Sequence, residues 1–295
     1  MKAFEKKAKE WKVDLQNALF CMEYTGIYNY TLVDFLTRKN YPIWLENPLA
    51  IKKSLGFQRA KSDRLDAKRI AQYAYRFQDK AQRWQPDRAV IRQLKALVSI
   101  RERLIKSRAS IAQPLNEYKR FMPASYKMFK QGCKGSLQTI AKDIKAVEKQ
   151  LEELIKADEK IKNQYTIATS VKGIGPVTAC QMILSSGEFT KIQTGKQLAC
   201  YAGVVPFEHS SGTSVRARAR VSHCANKKLK KYLHMAALWA IQGPGELQTY
   251  YERQLAKGKD KLSVLNAVRN KLVLRVCACI RDNQLYDPAY SYQAA

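Results

Sequence analysis

Two long segments with helical periodicity occupy the middle of the chain and restrict its fold more than any other feature. Apolar residues recur every three or four positions from Asp87 to about Tyr118, and again from about Leu137 to Ile161. Pro114 should kink or end the first helix, and a basic loop rich in Gly and Ser should span Pro123–Ser136. The pattern predicts an antiparallel hairpin or coiled coil, equally typical of a helical bundle and of an arm that spaces domains or mediates oligomerisation.

The residues before this hairpin alternate between strand and helix patterns. Short apolar runs at Ala18–Met22 and Tyr41–Leu45 predict buried strands, each followed by a helical segment. This order predicts a parallel α/β layer. Two strands are too few for a stable sheet, so further strands lie elsewhere or the chain begins late. Ser62 predicts the N-cap of a helix that runs to about Phe77.

The positive charge of the chain points to a polyanionic partner. The net charge is +28 over 295 residues, and 46% of the residues are hydrophobic, as in a globular protein. Because this charge is spread along nearly the whole chain, nucleic acid is the partner that fits best. A ribosomal or membrane-surface protein is the plain alternative. No apolar run reaches the length of a membrane span, so we expect no membrane partner.

The cysteines predict a reducing compartment. There are seven, an odd number, and no CxxC pair occurs among them. We interpret them as small core residues of a cytoplasmic protein rather than as disulfides or metal ligands.

Two further segments indicate contacts with phosphates. Lys172-Gly173-Ile174-Gly175-Pro176 lies between two helical patterns and is typical of a helix–hairpin–helix, which aims backbone N–H groups at a phosphate. An ordinary tight turn is the alternative. A basic helix should follow from Lys227 to Ile241, and its cluster of lysines either faces phosphates or is simply solvated: Lys227, Lys228, Lys230 and Lys231.

The stretch from Glu208 to Ser222 combines small hydroxyl residues with regularly spaced arginines. In an extended segment Arg216, Arg218 and Arg220 would share one face and suit a row of phosphates. A serine beside Gly212 can occupy a tight, exposed turn. The stretch therefore indicates a serine hydroxyl presented to a phosphodiester, although a solvated basic loop would have the same composition.

Three carboxylates are candidates for one metal site. Glu23 follows the first predicted strand, and Asp63 and Asp66 share a face of the next predicted helix. Hard oxygen ligands suit Mg²⁺, which assists phosphodiester chemistry. Spacing alone makes this a weak signal.

Motifs in both halves of the chain, taken together, resemble those of the DEDD-type insertion-sequence transposases, relatives of the Piv DNA invertase and of the bridge-RNA-guided recombinases. The front motifs are Met22–Tyr28, Glu46-Asn47-Pro48 and Lys61–Ala67. The back motifs are Lys172–Pro176, Tyr201–Pro206 and Ser210-Ser211-Gly212.

The resemblance implies a mixed α/β and mostly α protein with three domains. Residues 1–80 would form a partial RuvC-like, ribonuclease-H-like DEDD domain. Residues 81–164 would form the coiled-coil arm, which helps to assemble a dimer or tetramer. Residues 165–295 would form the transposase domain with its helix–hairpin–helix.

The resemblance also implies a DNA transposase or recombinase that works in the bacterial cytoplasm at the nucleoid. Ser211 matches the serine that forms a covalent 5′-phosphoserine link to DNA, with Ser210 as the alternative if the register differs by one. Glu23, Asp63 and Asp66 match carboxylates that hold Mg²⁺. Guided members also use a structured RNA, so an RNA partner stays open.

One departure from the family pattern concerns its first Asp, which nothing before Glu23 supplies; Asp14 lies too close and in the wrong setting. We therefore expect a truncated or mis-started chain with three of the four carboxylates, and its activity stays open. Two alternatives follow: a catalytically impaired remnant that binds DNA or RNA, and a RuvC-like junction nuclease without a covalent intermediate.

Overall fold

The computed structural model describes residues 2–54, 56, 62–211 and 215–288, without the side chains of residues 2, 3, 209–211 and 215–218. Its described part is mixed α/β and mostly helical, as predicted. The chain divides into two compact units, Met1–Asp87 and Arg88–Ala295.

The first unit contains two strands and four α-helices among its described residues. Its elements are α1 (Lys2–Glu10), β1 (Phe20–Glu23), a 3-10 turn (Gly26–Asn29), α2 (Tyr30–Arg38), β2 (Ile43–Glu46), α3 (Pro48–Ser54), α4 (Asp63–Arg76) and a second 3-10 turn (Gln78–Lys80).

The two strands pair in parallel, which confirms the predicted α/β layer. Alternate side chains along a strand point to opposite faces, and each face is covered by helices. Phe20 and Ile43 lie on the face that packs against α1 and α2. Cys21 and Trp44 lie on the opposite face, with α3 and α4. The strands are therefore buried on both sides, as expected of a short, continuously apolar run.

The N-cap predicted for α4 is confirmed. The Ser62 hydroxyl accepts a hydrogen bond from the Leu65 amide at 3.3 Å, so one of the unpaired N–H groups at the helix start is satisfied. Asp63 and Asp66 lie in the first turn, where negative charge complements the helix dipole.

The described part of the second unit is helical apart from one β-hairpin. Its elements are α5 (Ala89–Phe121), α6 (Pro123–Ala157), α7 (Glu159–Ser170), α8 (Pro176–Ser186), α9 (Gly195–Tyr201), β3 (Pro206–Ser211), β4 (Val215–Val221), α10 (Lys227–Ala240), α11 (Glu246–Ala256) and α12 (Lys261–Arg281).

The predicted helical hairpin is formed by α5 and α6, which pack along each other. Buried leucine and isoleucine side chains form their shared core, and Tyr118 stacks on Phe129 at a ring distance of 4.3 Å. Two contacts show that the helices run antiparallel. Tyr118 near the end of α5 meets Phe129 near the start of α6, and Arg101, earlier in α5, bonds Glu148, later in α6. The hairpin is thus an integral part of the second unit.

One detail of the predicted hairpin is wrong, since residues 123–136 form the start of α6 rather than a basic loop. Of the two outcomes predicted for Pro114, an end of the helix is excluded, because Pro114 lies inside α5, and a kink stays a prediction. Pro123 occupies the first helical turn, where proline needs no N–H partner. Gly132 and Gly135 each cost a helix only about 1 kcal/mol relative to alanine. Packing between the two helices outweighs these local preferences.

The end of α6 is set by a charged cap. Asp158 accepts a bond from the Ile161 amide at 3.0 Å and so begins α7. Its carboxylate also pairs with Arg88 at 2.8 Å, and Arg88 binds Glu188 as well. The hydrogen bond from Arg88 holds the pKa of Asp158 below its usual range. One arginine therefore joins the starts of α5 and α7 to the segment after α8.

The turn between α7 and α8 approaches α10 closely at a glycine. Gly173 has a φ of +96°, and an added Cβ would lie 2.7 Å from both the Ala236 carbonyl oxygen and the Ala240 Cβ. Gly175, two residues later, has open space where a Cβ would be. The first glycine is thus required by backbone conformation and by packing.

We predict that Gly173→Ala lowers the free energy of unfolding by about 3 kcal/mol, because it adds both backbone strain and an overlap with α10. Gly175→Ala, the matched control, should cost less than about 1 kcal/mol. Urea denaturation of the full chain measures both. Equal losses in the two variants would contradict the close approach to α10.

We predict that Asp158→Asn, which keeps the cap acceptor but removes the charge, costs about 1 kcal/mol at pH 7, because the partner Arg88 is partly exposed. A carboxyl group whose pKa is lower in the folded chain than in the unfolded chain stabilises the fold at pH values above the unfolded pKa. This stabilisation is lost as the pH falls through the folded pKa. In denaturation at several pH values, the difference from wild type should therefore begin to shrink as the pH falls below about 4, and vanish only below the lowered folded pKa.

Asp260→Asn is the control, since Asp260 caps α12 through the Ser263 amide and forms no ion pair within the described residues. Its effect should change less with pH. A pH-independent loss in Asp158→Asn would assign that effect to packing rather than to charge.

Candidate functional site

The serine- and arginine-rich stretch forms the β3–β4 hairpin, which confirms that it is extended. Ser211 pairs with Val215 and Ser210 with Arg216, at the end where the two strands are joined by residues 212–214. Those three residues lie outside the described part of the chain, and so does the turn predicted at Gly212.

The three arginines occupy alternate positions of β4, as predicted from the sequence. The Arg220 side chain is exposed. The side chains of Ser210, Ser211, Arg216 and Arg218 lie outside the described part, so their predicted roles stay predictions.

The base of the hairpin is fixed to three helices of the second unit. The Asn226 amide at the start of α10 donates to the Tyr201 carbonyl at 2.8 Å. Asn266 of α12 donates through its side chain to the Val204 carbonyl at 2.7 Å. Gly203 has a φ of +67°, and an added Cβ would lie 2.3 Å from Ala225. These contacts therefore fix the position of the chain just before β3 and just after β4.

Two carboxylates of the first unit lie at the carboxyl ends of the two parallel strands. Glu23 ends β1 and is directly opposite Glu46, which ends β2. The Tyr73 hydroxyl of α4 donates to Glu46 at 3.1 Å. Asp66 is two helical turns before Tyr73, so both share the face of α4 that packs on the strands.

The described side chains do not by themselves form a metal site. Within the described residues, no group of three or more His, Cys, Asp or Glu side chains is arranged to hold a metal ion. Asp66 instead pairs with Arg69 at 2.8 Å. Carboxylate oxygens have the right chemistry for Mg²⁺, but Glu23, Asp63 and Asp66 are not assembled into a ligand group here.

Glu46 is a member of this edge that sequence reasoning did not select as a site residue. Burial, followed by the charge of Glu46, raises the pKa of the Cys21 thiol to about 11. Burial and the hydrogen bond to Glu46 likewise raise the pKa of Tyr73. The available signal was positional, since Glu46 ends its strand just as Glu23 does.

The predicted turn between two helices is confirmed at residues 171–175. Lys172 turns toward the protein, because its ammonium group donates to the carbonyls of Gly243 at 3.2 Å and Pro244 at 2.8 Å. Gly175 forms the N-cap of α8, and Pro176 is exposed. Lys172 and Gly173 thus contribute to the fold, and the role toward a phosphate predicted for Lys172, Gly173 and Gly175 stays a prediction.

The first two lysines of the basic helix α10 have different surroundings. Lys227 is exposed. Lys228 pairs with Glu102 of α5 at 2.9 Å, and the Tyr232 hydroxyl donates to the same carboxylate at 2.6 Å. Burial alone would raise the pKa of Glu102, but these hydrogen bonds outweigh it and lower the pKa. Lys228 therefore joins α10 to the hairpin arm.

Comparison with protein families decides the class of the molecule. The model described as the transposase IS116/IS110/IS902 family matches residues 165–252, which include the β3–β4 hairpin. The DEDD transposase model of IS110 elements matches residues 1–118, which include Glu23, Asp63 and Asp66. The chain belongs to the IS110/IS116/IS902 family of transposases. Membership makes it an enzyme of the DNA transposase and recombinase class.

Relatives of the family extend over most of the chain. The pilin gene-inverting protein of Moraxella bovis is 28% identical over 274 residues, which cover 90% of this chain and 81% of that protein. The transposase for insertion sequence element IS1111A of Coxiella burnetii is 29% identical over 225 residues, which cover 62% of this chain and 61% of that protein.

The cysteines are only in part the core residues that the sequence predicted. All seven are free, and Cys180 and Cys277 are buried, whereas Cys200 and Cys224 are exposed. Burial raises the pKa of Cys180 to about 11 and that of Cys277 to about 12, so these thiols are not reactive nucleophiles. No helix in the described part is both long and apolar enough to span a membrane.

Proposed function

We propose that this family member cuts and rejoins DNA through a covalent link to Ser211. The observation that carries the proposal is the family match over residues 165–252, because it includes the hairpin that ends at Ser211. The relative from Moraxella bovis, a pilin gene-inverting protein, supports a rearrangement of DNA segments. The positions of Arg216, Arg218 and Arg220 beside the serine support contacts with DNA phosphates.

The proposed reaction is a transesterification that needs no external energy source. The Ser211 oxygen attacks a DNA phosphorus, a serine–phosphate bond forms, and the bond to the 3′-oxygen breaks. The serine proton is released, and the departing 3′-oxygen takes up a proton. Attack by a 3′-hydroxyl on the phosphoserine reverses these changes and rejoins DNA. Arginines positioned before the reaction would stabilise the charge on the phosphate oxygens.

We propose that Glu23, Asp63 and Asp66 contribute to a Mg²⁺ site of a RuvC-like domain at residues 1–80. Matching of residues 1–118 to the DEDD transposase model supports this assignment. The ion would supply Lewis-acid assistance at phosphate when bound. Since three described carboxylates do not assemble a site here, another ligand or substrate phosphate is needed to complete one.

We propose three further features of the working complex. The transposase domain covers residues 165–295, and its phosphate contacts include the positions predicted from the sequence: Lys172, Gly173, Gly175, Lys227 and Lys228. The arm at residues 81–164 contributes to a dimer or tetramer, as apolar residues such as Ile100 and Ile105 stay exposed on α5.

DNA is the substrate, a structured RNA is a candidate guide, and the bacterial cytoplasm is the location.

A second function is favoured by the unassembled carboxylates. If the first unit cannot bind metal, the chain would still bind DNA or RNA through its net charge of +28 without cutting it. Detection of a covalent adduct separates this reading from the first.

We predict that Ser211→Ala abolishes the covalent protein–DNA adduct, because no oxygen is left to attack phosphorus. The assay incubates the full chain with DNA labelled at its 3′ end, so that the strand joined through its 5′-phosphate carries the label, and separates the products under denaturing conditions. Ser210→Ala is the matched control and should keep the adduct. An adduct that survives Ser211→Ala contradicts the assignment, and cleavage without an adduct indicates a junction nuclease.

We predict that Asp63→Asn lowers Mg²⁺-dependent cleavage at least about 100-fold, because one lost metal ligand removes several kcal/mol of transition-state stabilisation. Asp79→Asn, in the second 3-10 turn of the same unit, is the control with the same charge change. Calorimetric titration with Mg²⁺ gives a readout independent of cleavage. Unchanged cleavage and unchanged Mg²⁺ affinity would remove Asp63 from the site.

A further inference from the structure

Three basic side chains come together between α10 and α12 in the second unit. Lys230 and His234 lie one turn apart on α10, and Arg269 lies on α12, which packs against α10. All three side chains are partly buried. Neither the lysine cluster predicted on α10 nor the family motifs include His234 or Arg269.

The cluster has no anionic partner among the described residues. The Nε of Arg269 and the Nδ1 of His234 are buried atoms without a hydrogen-bond partner there. Burial lowers the pKa of Arg269. Burial, and then the charge of Arg269, lower the pKa of Lys230 and of His234. A partly buried guanidinium stays charged, so its lost hydration is not compensated in the free protein.

Partly buried arginines elsewhere in the second unit are paired with carboxylates, unlike Arg269. Arg101 binds Glu148, and Arg275 binds Glu246. Arg88 binds two carboxylates. The protein therefore places carboxylates beside partly buried arginines where they maintain the fold, and it places none in the described part beside Arg269.

The cluster lies next to the base of the β3–β4 hairpin. Lys230 is one helical turn, about 5.4 Å, beyond Asn226, which bonds the Tyr201 carbonyl. Arg269 is on the same face of α12 as Asn266, three residues earlier, which bonds the Val204 carbonyl. Both helices thus direct positive charge to the segment from which the hairpin extends.

We infer that Lys230, His234 and Arg269 bind a backbone phosphate of nucleic acid beside the hairpin that carries Ser211. This inference rests on the proposed function, the cutting and rejoining of DNA, and adds a site at which the protein binds a phosphate of its substrate. A phosphate oxygen accepts from the guanidinium fork and from the ammonium group, and neutral His234 donates from one ring nitrogen. The bound anion would replace the hydration lost by burial and relieve the repulsion between like charges.

The test is equilibrium binding of the full chain to a fluorescent DNA duplex and to a single-stranded RNA over a series of salt concentrations. Arg269→Gln should weaken binding about tenfold and reduce the slope of log K against log salt by about 0.9 for the duplex or 0.7 for the single strand. A loss limited to one of the two identifies which backbone occupies the site. Lys230→Gln, a variant of the other helix that contributes to the site, should weaken binding and reduce the salt slope in the same way.

Arg281→Gln is the matched control, because it removes the same charge from the exposed end of α12. Without nucleic acid, Arg269→Gln should unfold at the same or a higher urea concentration than wild type, since it removes an uncompensated charge. A purely structural arginine would give a lower midpoint.

Three results would overturn the inference. They are an equal loss of binding in Arg281→Gln, unchanged binding in both Arg269→Gln and Lys230→Gln, and a wild-type chain that binds neither nucleic acid. The last result would also refute the proposed function. A wild-type chain that forms the Ser211 adduct, with Arg269→Gln and Lys230→Gln both binding nucleic acid as well as wild type, would refute this inference alone.

Discussion

Packing onto α12 is the interaction on which the second unit depends. Four helices, α7, α9, α10 and α11, contact it, and its buried side chains face more than one of them. Val268 and Leu272 are completely buried. Burial of each such side chain contributes about 1.5–3 kcal/mol, which far exceeds the differences in helix propensity along the chain. The base of the β3–β4 hairpin is attached to this core through Asn266, so the position of the candidate nucleophile depends on the same packing.

The uneven use of charge follows from composition. The chain has 53 lysines and arginines but only 25 acidic residues. Several of those acids form ion pairs that join one element to another. Glu102 pairs with Lys228, and Asp158 and Glu188 both pair with Arg88. The remaining positive charge is then free to attract a polyanion from solution. This division separates scaffold lysines such as Lys228 from exposed ones such as Lys227, although the two are neighbours in sequence.

In the first unit, the parallel pairing of two strands gathers carboxylates without requiring them to be close in sequence. Glu23 and Glu46 meet because both strands end at the same edge. The face of α4 that carries Ile70 and Tyr73 packs on those strands. An acidic edge of this kind costs stability through mutual repulsion unless a cation or a hydrogen bond compensates it, and Tyr73 provides one such bond.

The sequence by itself determined the local elements and the family. Apolar periodicity was enough for the α/β layer and the long hairpin, and the alternation of arginines fitted the extended stretch, because each pattern repeats within a few residues. Sequence reasoning misjudged residues 123–136, because packing of α5 on α6 overrides local breakers. Only the tertiary structure decided that Lys172 and Lys228 bind the protein's own groups, and that Arg269 and His234 come together without an acid in the described part. The physical reason is that pairing and burial depend on residues distant in sequence, whose meeting is fixed by helix packing.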